Sequence, residues 1–151
     1  MNIKIDDLSD GRVADLLADH RREMLEHSPP ESVHALDQKG LYSTDICFWS
    51  AAIDGQLAGC GGLKKLNEKN AEIKSMRTNK AFIRRGVAAK ILKVIIQEAE
   101  HRNFQRMYLE TGSMEVFLPA RKLYEKYGFE YCEPFADYKH DSNSVCMVKK
   151  L

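Results

Sequence analysis

The stretch EIKSMRTNKAFIRRGVAAKILKVIIQEAEHR, Glu72 to Arg102, reads as a strand, a basic glycine turn and an amphipathic helix in succession. In the helical half, Val87, Ala88, Ile91, Leu92, Ile95, Ile96 and Ala99 recur at three- and four-residue steps. That spacing puts apolar side chains on one helix face. Lys90, Lys93, Gln97, Glu98 and Glu100 fall mostly on the other. Just before the helix stands Arg84-Arg85-Gly86. A first helical turn has backbone N–H groups without partners inside the helix, and the positive end of the helix dipole lies there too. Together they make an anion site. A glycine admits a bulky ligand to the backbone and two arginines add charge, so the expected ligand is a phosphate or pyrophosphate. The same tripeptide also occurs as a plain solvated turn, and the order of the surrounding elements has to decide.

Working outward, Ala71 to Thr78 is expected to be a strand that feeds this turn. Before it, Ile46 to Ile53 (ICFWSAAI) is rich in β-branched and aromatic residues, Asp54-Gly55 is a two-residue hairpin signal, and Gln56 to Leu66 is the returning strand. Gly59, Gly61 and Gly62 lie within that strand and precede no Gly-Lys-Ser/Thr, so close packing explains them better than a phosphate loop. Nearer the start, Asn2 to Ile5 alternates as a short strand. Ser9 or Asp10 is expected to cap a helix through about Glu26, with Val13, Leu16, Leu17, Met24 and Leu25 apolar. Ser28-Pro29-Pro30 stops it, and Glu31 to Leu36 allows a further helical turn.

After the long helix, Arg106 to Glu110 predicts a strand reached by a helical crossover, hence parallel to Ala71 to Thr78. Thr111-Gly112-Ser113 turns into a second helix through about Lys126, with Val116, Phe117, Ala120, Leu123, Tyr124 and Tyr127 facing the core and Gly128 ending it. Phe129 to Cys132 and Ser144 to Val148 are closing strands around the loop Pro134 to Tyr138. An exposed last strand could pair between chains, which points to a homodimer.

The 151 residues suit one domain, 1–151, with no linker or repeat to divide them. A net charge of +1 gives no general case for nucleic acid, and no apolar run approaches the roughly 20 residues that span a bilayer, so neither nucleic acid nor membrane is an expected partner. Four scattered cysteines, Cys47, Cys60, Cys132 and Cys146, form no zinc spacing and read as reduced structural thiols. With no secretion signal at the N-terminus, these features lead to expectations of a cytoplasmic location and no metal.

Ile83-Arg84-Arg85-Gly86-Val87-Ala88, followed at a suitable distance by Leu123-Tyr124-Glu125-Lys126-Tyr127-Gly128-Phe129, resembles the GNAT family of acetyl-CoA-dependent N-acetyltransferases. The resemblance covers nearly the whole chain and is strongest from Glu72 to Phe129. It implies an α/β (α+β) fold: a mixed, mostly antiparallel sheet with a central parallel strand pair and helices on both faces. It implies acetyl-CoA as cosubstrate, with Arg84, Arg85, Gly86, Val87, Ala88 and Ala89 around the pyrophosphate, and with Met76, Arg77 and Thr78 along the pantetheine arm. A backbone N–H near Met76 would polarise the thioester carbonyl. The family signature has Gln or Arg where this chain has Ile83, and commonly an Asn where it has Phe117, with Ser113 or Glu115 left to substitute.

Two proton handlers complete the chemistry. Glu72 stands where histone-modifying members carry their catalytic glutamate, with Glu110 as second candidate; a hairpin-end surface charge is the plain alternative. Tyr124 matches the family's acid for the departing thiolate, the alternative being a packing role. The implied activity is direct acetyl transfer to an amine of a small molecule or amino acid. Its alternatives are a peptide or protein N-acetyltransferase, an acyl-CoA-binding module without turnover, an acyl-cysteine relay through Cys60 or Cys132, and a nucleotide binder of unrelated fold. The acceptor pocket is expected from Ser28 to Leu41, the turn near Asn67 and Phe135 to Tyr138, where His34, Asp37, Glu68, Asp137 and Tyr138 lie.

Overall fold

The computed structural model describes residues 1–36 and 38–151. Its strands β1 (Asn2–Asp6), β2 (Ile46–Ile53), β3 (Gln56–Lys65), β4 (Asn70–Thr78), β5 (Arg106–Gly112), β6 (Glu130–Cys132) and β7 (Ser144–Lys150) form one sheet in the order β1-β2-β3-β4-β5-β7-β6. Among these described strands, only β4 and β5 pair in parallel. The helices are α1 (Arg12–His27), α2 (Gln38–Leu41), α3 (Val87–His101) and α4 (Leu118–Lys126). On one face, α3 and α4 bury Ile91, Leu92, Ile95 and Tyr124 against Trp49, Leu63, Ile73 and Met107. On the other, α1 buries Val13 and Leu17 against Phe48 and Cys60. This is the mixed sheet, covered on both faces, that the sequence led us to expect.

Asp54 and Gly55 both take positive φ, as the tight hairpin between β2 and β3 requires. The glycines of β3 are packing residues. A Cβ on Gly59 would lie 2.8 Å from Val87 Cγ1, and one on Gly61 would lie 2.5 Å from Met76 Sδ.

Several local expectations change. Neither Ser9 nor Asp10 caps α1; Gly11 does, at φ +80°, while Asp10 Oδ1 accepts from the Arg12 N–H in a turn that precedes the helix. Leu25 faces solvent. Between Glu31 and Leu36 only a short 3₁₀ turn forms, at Pro30–Ser32. β5 continues to Gly112, and α4 begins at Leu118 behind the 3₁₀ turn Glu115–Phe117, so Val116 is 50% exposed instead of facing the core. Most consequentially, β7 is no edge. It lies between β5 and β6, with Cys146 to Val148 paired on both sides, so it is not the exposed final strand expected to pair between chains as a homodimer.

Candidate active site

The parallel pair is short. Asn70, Ala71 and Glu72 face Arg106, Met107 and Tyr108, and beyond Glu72 the two strands part. From Ile73 to Thr78 β4 is paired with β3 alone, and from Leu109 to Gly112 β5 is paired with β7 alone. A β-bulge widens the parting. Ser75 and Met76 together oppose Gly61, and Ser75 sits at φ +60°. The extra residue reverses the side-chain alternation. Ile73 and Met76 therefore both reach α3, whereas Glu72, Lys74 and Arg77 all lie on the opposite face. Between the separated strands runs a cleft of about 640 Å³.

The cleft gathers most of the residues expected to bind or react. Glu72, Met76, Arg77, Thr78, Arg84, Gly86, Ala88, Ala89, Glu110 and Tyr124 all line it. At one end is the α3 N-terminus, which has no side-chain cap; Gly86 holds φ +77° there and Arg84, a non-glycine, holds φ +62°. The first intrahelical bond is Lys90 N–H to Gly86 carbonyl, so the N–H groups of Val87, Ala88 and Ala89 have no helical partner. They are donors for an anion. Val87 contributes only its backbone, because its side chain is buried against Gly59. Arg85 leaves the cleft lining and lies over the Phe82 ring, 5.3 Å from its centroid. The Arg77 side chain turns to α1 and pairs with Glu23. What β4 offers the cleft at that position is backbone with no partner strand on its β5 side.

Phe117 covers Gly112 so closely that a Cβ there would lie 2.1 Å from its ring. Ser113 cannot replace the missing Asn, since its hydroxyl donates to the Ser142 carbonyl at 2.6 Å. This side of the cleft is apolar, with Val116, Phe117, Pro119, Ala120 and Leu123.

Glu72 is 3% exposed. Its Oε2 accepts from the Tyr138 hydroxyl at 2.5 Å and from Lys74 Nζ at 3.4 Å, while Oε1 accepts nothing from the described residues. Lys74 Nζ also donates to Tyr138 Oη at 3.0 Å and to the His34 carbonyl at 3.4 Å. Glu110 accepts from the Ser144 hydroxyl at 2.6 Å, and burial holds its carboxyl above the ordinary carboxylate range. Burial, and then the Glu110 charge, push the Tyr124 phenol well above its usual value, so it keeps its proton at neutral pH. Cys60 has the opposite character from a nucleophile: burial raises its thiol to about 12, and Sγ is spent on the Ser75 carbonyl at 3.4 Å.

A second cavity, of about 680 Å³, adjoins the cleft and shares Glu72, Lys74, His34 and Ala35 with it. It is built from the three expected segments: His34 and Ala35, Asn67 with Asn70, and Phe135 to Tyr138. His34 meets Tyr138 edge-on at 4.9 Å, which joins two of these segments, and nearby the Ser32 hydroxyl donates to Asp141 at 2.5 Å. Glu68 instead pairs with Lys65 at the rim, and Asp37 falls outside the described residues. The sequence reading missed Lys74 and Lys64. Strand alternation was a usable signal for Lys74, because a residue two beyond Glu72 shares its face. Nothing local announced the pairing of Arg77 with Glu23.

The model of the Acetyltransferase (GNAT) family matches residues 13–129. A protein of Bacillus subtilis strain 168, the uncharacterized N-acetyltransferase YsnE, is 56% identical over 151 residues and covers 100% of both chains. YedL of Escherichia coli K12, likewise an uncharacterized N-acetyltransferase, is 49% identical over 142 residues, 94% of this chain and 89% of that one. Among solved structures, a GNAT family acetyltransferase from Elizabethkingia anophelis with acetyl-CoA bound superposes with a TM-score of 0.72 at 19% identity, over 99% of this chain and 97% of that one.

Proposed function

The chain belongs to the GNAT family of acetyl-CoA-dependent N-acetyltransferases, and from that premise we propose that it passes acetyl directly to the amine of a small molecule or amino acid, with Glu72 as base and Tyr124 as acid. One observation carries the assignment: Glu72 is in the wall common to both cavities, so an amine entering from one and a thioester lying in the other would meet beside it.

Acetyl-CoA fits the cleft by its own chemistry. The uncapped α3 amides with Arg84 suit the pyrophosphate, and the exposed backbone of β4 suits the amides of the pantetheine arm as an added strand would. The Met76 N–H is the donor for the thioester oxygen as charge develops on it. Glu72, through Oε1 or a water held there, takes one proton from the acceptor ammonium. The freed nitrogen attacks the carbonyl carbon, an N–C bond forms and the C–S bond breaks. Tyr124 gives its proton to the departing thiolate and recovers one from the nitrogen as the amide forms; the Glu72 proton leaves to solvent. Glu110 lines the cleft but not the second cavity, which makes it the second candidate for the base.

We read residues 1–151 as one catalytic domain working in the cytoplasm; the four free thiols, with Cys132 facing Cys146 across β6 and β7, fit a reducing compartment.

The test is thiol release from acetyl-CoA over a panel of amines. Glu72→Gln is expected to lower kcat by about 100-fold or more, and Tyr124→Phe by at least about tenfold, with CoA affinity kept in both. A full rate in Glu72→Gln beside a slow Glu110→Gln would move the base to Glu110. Tight CoA binding without turnover of any amine would leave the binding-module reading.

A further inference from the structure

The second cavity carries charge in an order that bears on what it accepts. Lys74 has a side chain only 10% exposed; among the described residues it pairs with Glu72, across a long 3.4 Å contact, and its charge also reaches the Glu110 carboxyl. A buried ammonium is costly unless anions and acceptors surround it. Lys64 lies directly opposite Glu72 in the register of β3 and β4, which puts both side chains on one face. It is half-buried, lines the cavity, and makes no ion pair or side-chain hydrogen bond among the described residues. Two lysines thus share the sheet face and the cavity of one buried carboxylate, at the place where the acceptor arrives.

Building on the acetyl-transfer reading, we propose that the acceptor is a free α-amino acid whose amine meets Glu72 and whose carboxylate is held by Lys74 and Lys64. An α-amino acid separates its two charges by only the α-carbon and the carboxyl carbon. The wall offers the complementary pair on the same scale, an anion and a cation 3.4 Å apart. Lys74 is fixed by Tyr138 and the His34 carbonyl, so it is preorganised. When the acceptor's amine occupies Glu72, the Lys74 proton now aimed at that carboxylate turns to the acceptor's own. Asp45 and Asp137 line the cavity at its exposed rim, so the discrimination is local to Glu72: a diamine, polyamine or aminoglycoside with a second cation close to the reacting amine would set it against Lys74 and Lys64. The amino-acid side chain has room along Tyr108 and Phe135, whose rings stack at 4.7 Å.

The experiment compares each proteinogenic amino acid with its amide and its decarboxylated amine as acceptors in the thiol-release assay. For at least one side chain, the free acid should exceed both relatives by about tenfold or more in kcat/KM, the effect of a charge-assisted hydrogen bond. Lys64→Met should raise KM for the acid by about tenfold, change kcat little, and bring acid and amide within about twofold. Lys74→Met should remove the same preference. CoA affinity, measured in each variant, reports that it is folded. Amides or plain amines served as well as acids, or a preference that survives both substitutions, overturns the proposal while leaving acetyl transfer intact. Silence of the wild-type enzyme towards every amine overturns the transfer reading and this proposal with it.

Discussion

Gly61→Ala is a small change with a large expected effect, because Gly61 lies across from the bulge that shapes the cleft. A Cβ at that position would fall 2.5 Å from Met76 Sδ, 2.8 Å from Ile95 Cδ1 and 3.0 Å from Ile91 Cγ2. Non-bonded carbon contacts settle at about 3.5–4.0 Å, so Met76 has to move by roughly 1 Å while the two isoleucines give less. Overpacking of this kind costs about 1–3 kcal/mol. For a chain of this size each kcal/mol lowers Tm by about 2–4 °C, which puts the expected fall near 6 °C. The functional cost is separate, since the Met76 N–H is the donor proposed for the thioester. A displacement of about 1 Å at a positioning element can cost up to roughly 100-fold in rate. Scanning fluorimetry with and without CoA gives the first effect, and thiol release gives the second. Adding Met76→Ala removes the closest overlap, so the double variant should be more stable than the sum of the single changes. If Gly61→Ala keeps wild-type Tm and kcat/KM, Met76 does not lie over Gly61 and the bulge does not place the donor as argued.

Two further predictions concern the ends of the cleft. His20 on α1 lines it, and burial, with Arg77 adding to the effect, lowers its pKa to about 4 from 6.5. The folded protein therefore binds fewer protons than the unfolded chain between those values. The contribution is full above pH 6.5 and lost as pH falls towards 4, by at most about 3 kcal/mol. Urea unfolding at pH 7, 5.5 and 4.5 should show His20→Leu losing less stability with acid than the wild type; an equal loss refutes it. Ile83, 56% exposed at the cleft mouth, stands where the family signature has Gln or Arg. Ile83→Arg is expected to lower the KM for acetyl-CoA by about two- to tenfold at low salt and to leave kcat unchanged. An unchanged KM means that the α3 backbone donors already suffice.

Local features of the chain were legible in the sequence because their causes are local. The helical period after Gly86, the glycine turn that opens α3 and the Asp54-Gly55 hairpin each depend on a few consecutive residues. The three segments around the second cavity could also be named, since connections at one end of a sheet converge. Strand order was less accessible. That β7 slips between β5 and β6 depends on which distant strand takes the hydrogen bonds of β5, and neither strand's pattern records it. The helix after β5 showed the same limit: its apolar period placed Val116 in the core, and tertiary packing left it at the cleft rim. The stretch from Glu72 to Thr78 is the sharpest case. Its sequence gives a strand with a carboxylate at one end, and alternation alone would put Glu72, Lys74 and Met76 on one face. The bulge opposite Gly61 sends Met76 to α3 and Arg77 to Glu23, and the parting from β5 opens the cleft beside Glu72. Sequence sets the local periods and turns, and alternation alone puts Lys74 on the face of Glu72; pairing across long separations sets which faces meet, and the tertiary structure alone could bring Lys64 opposite that carboxylate.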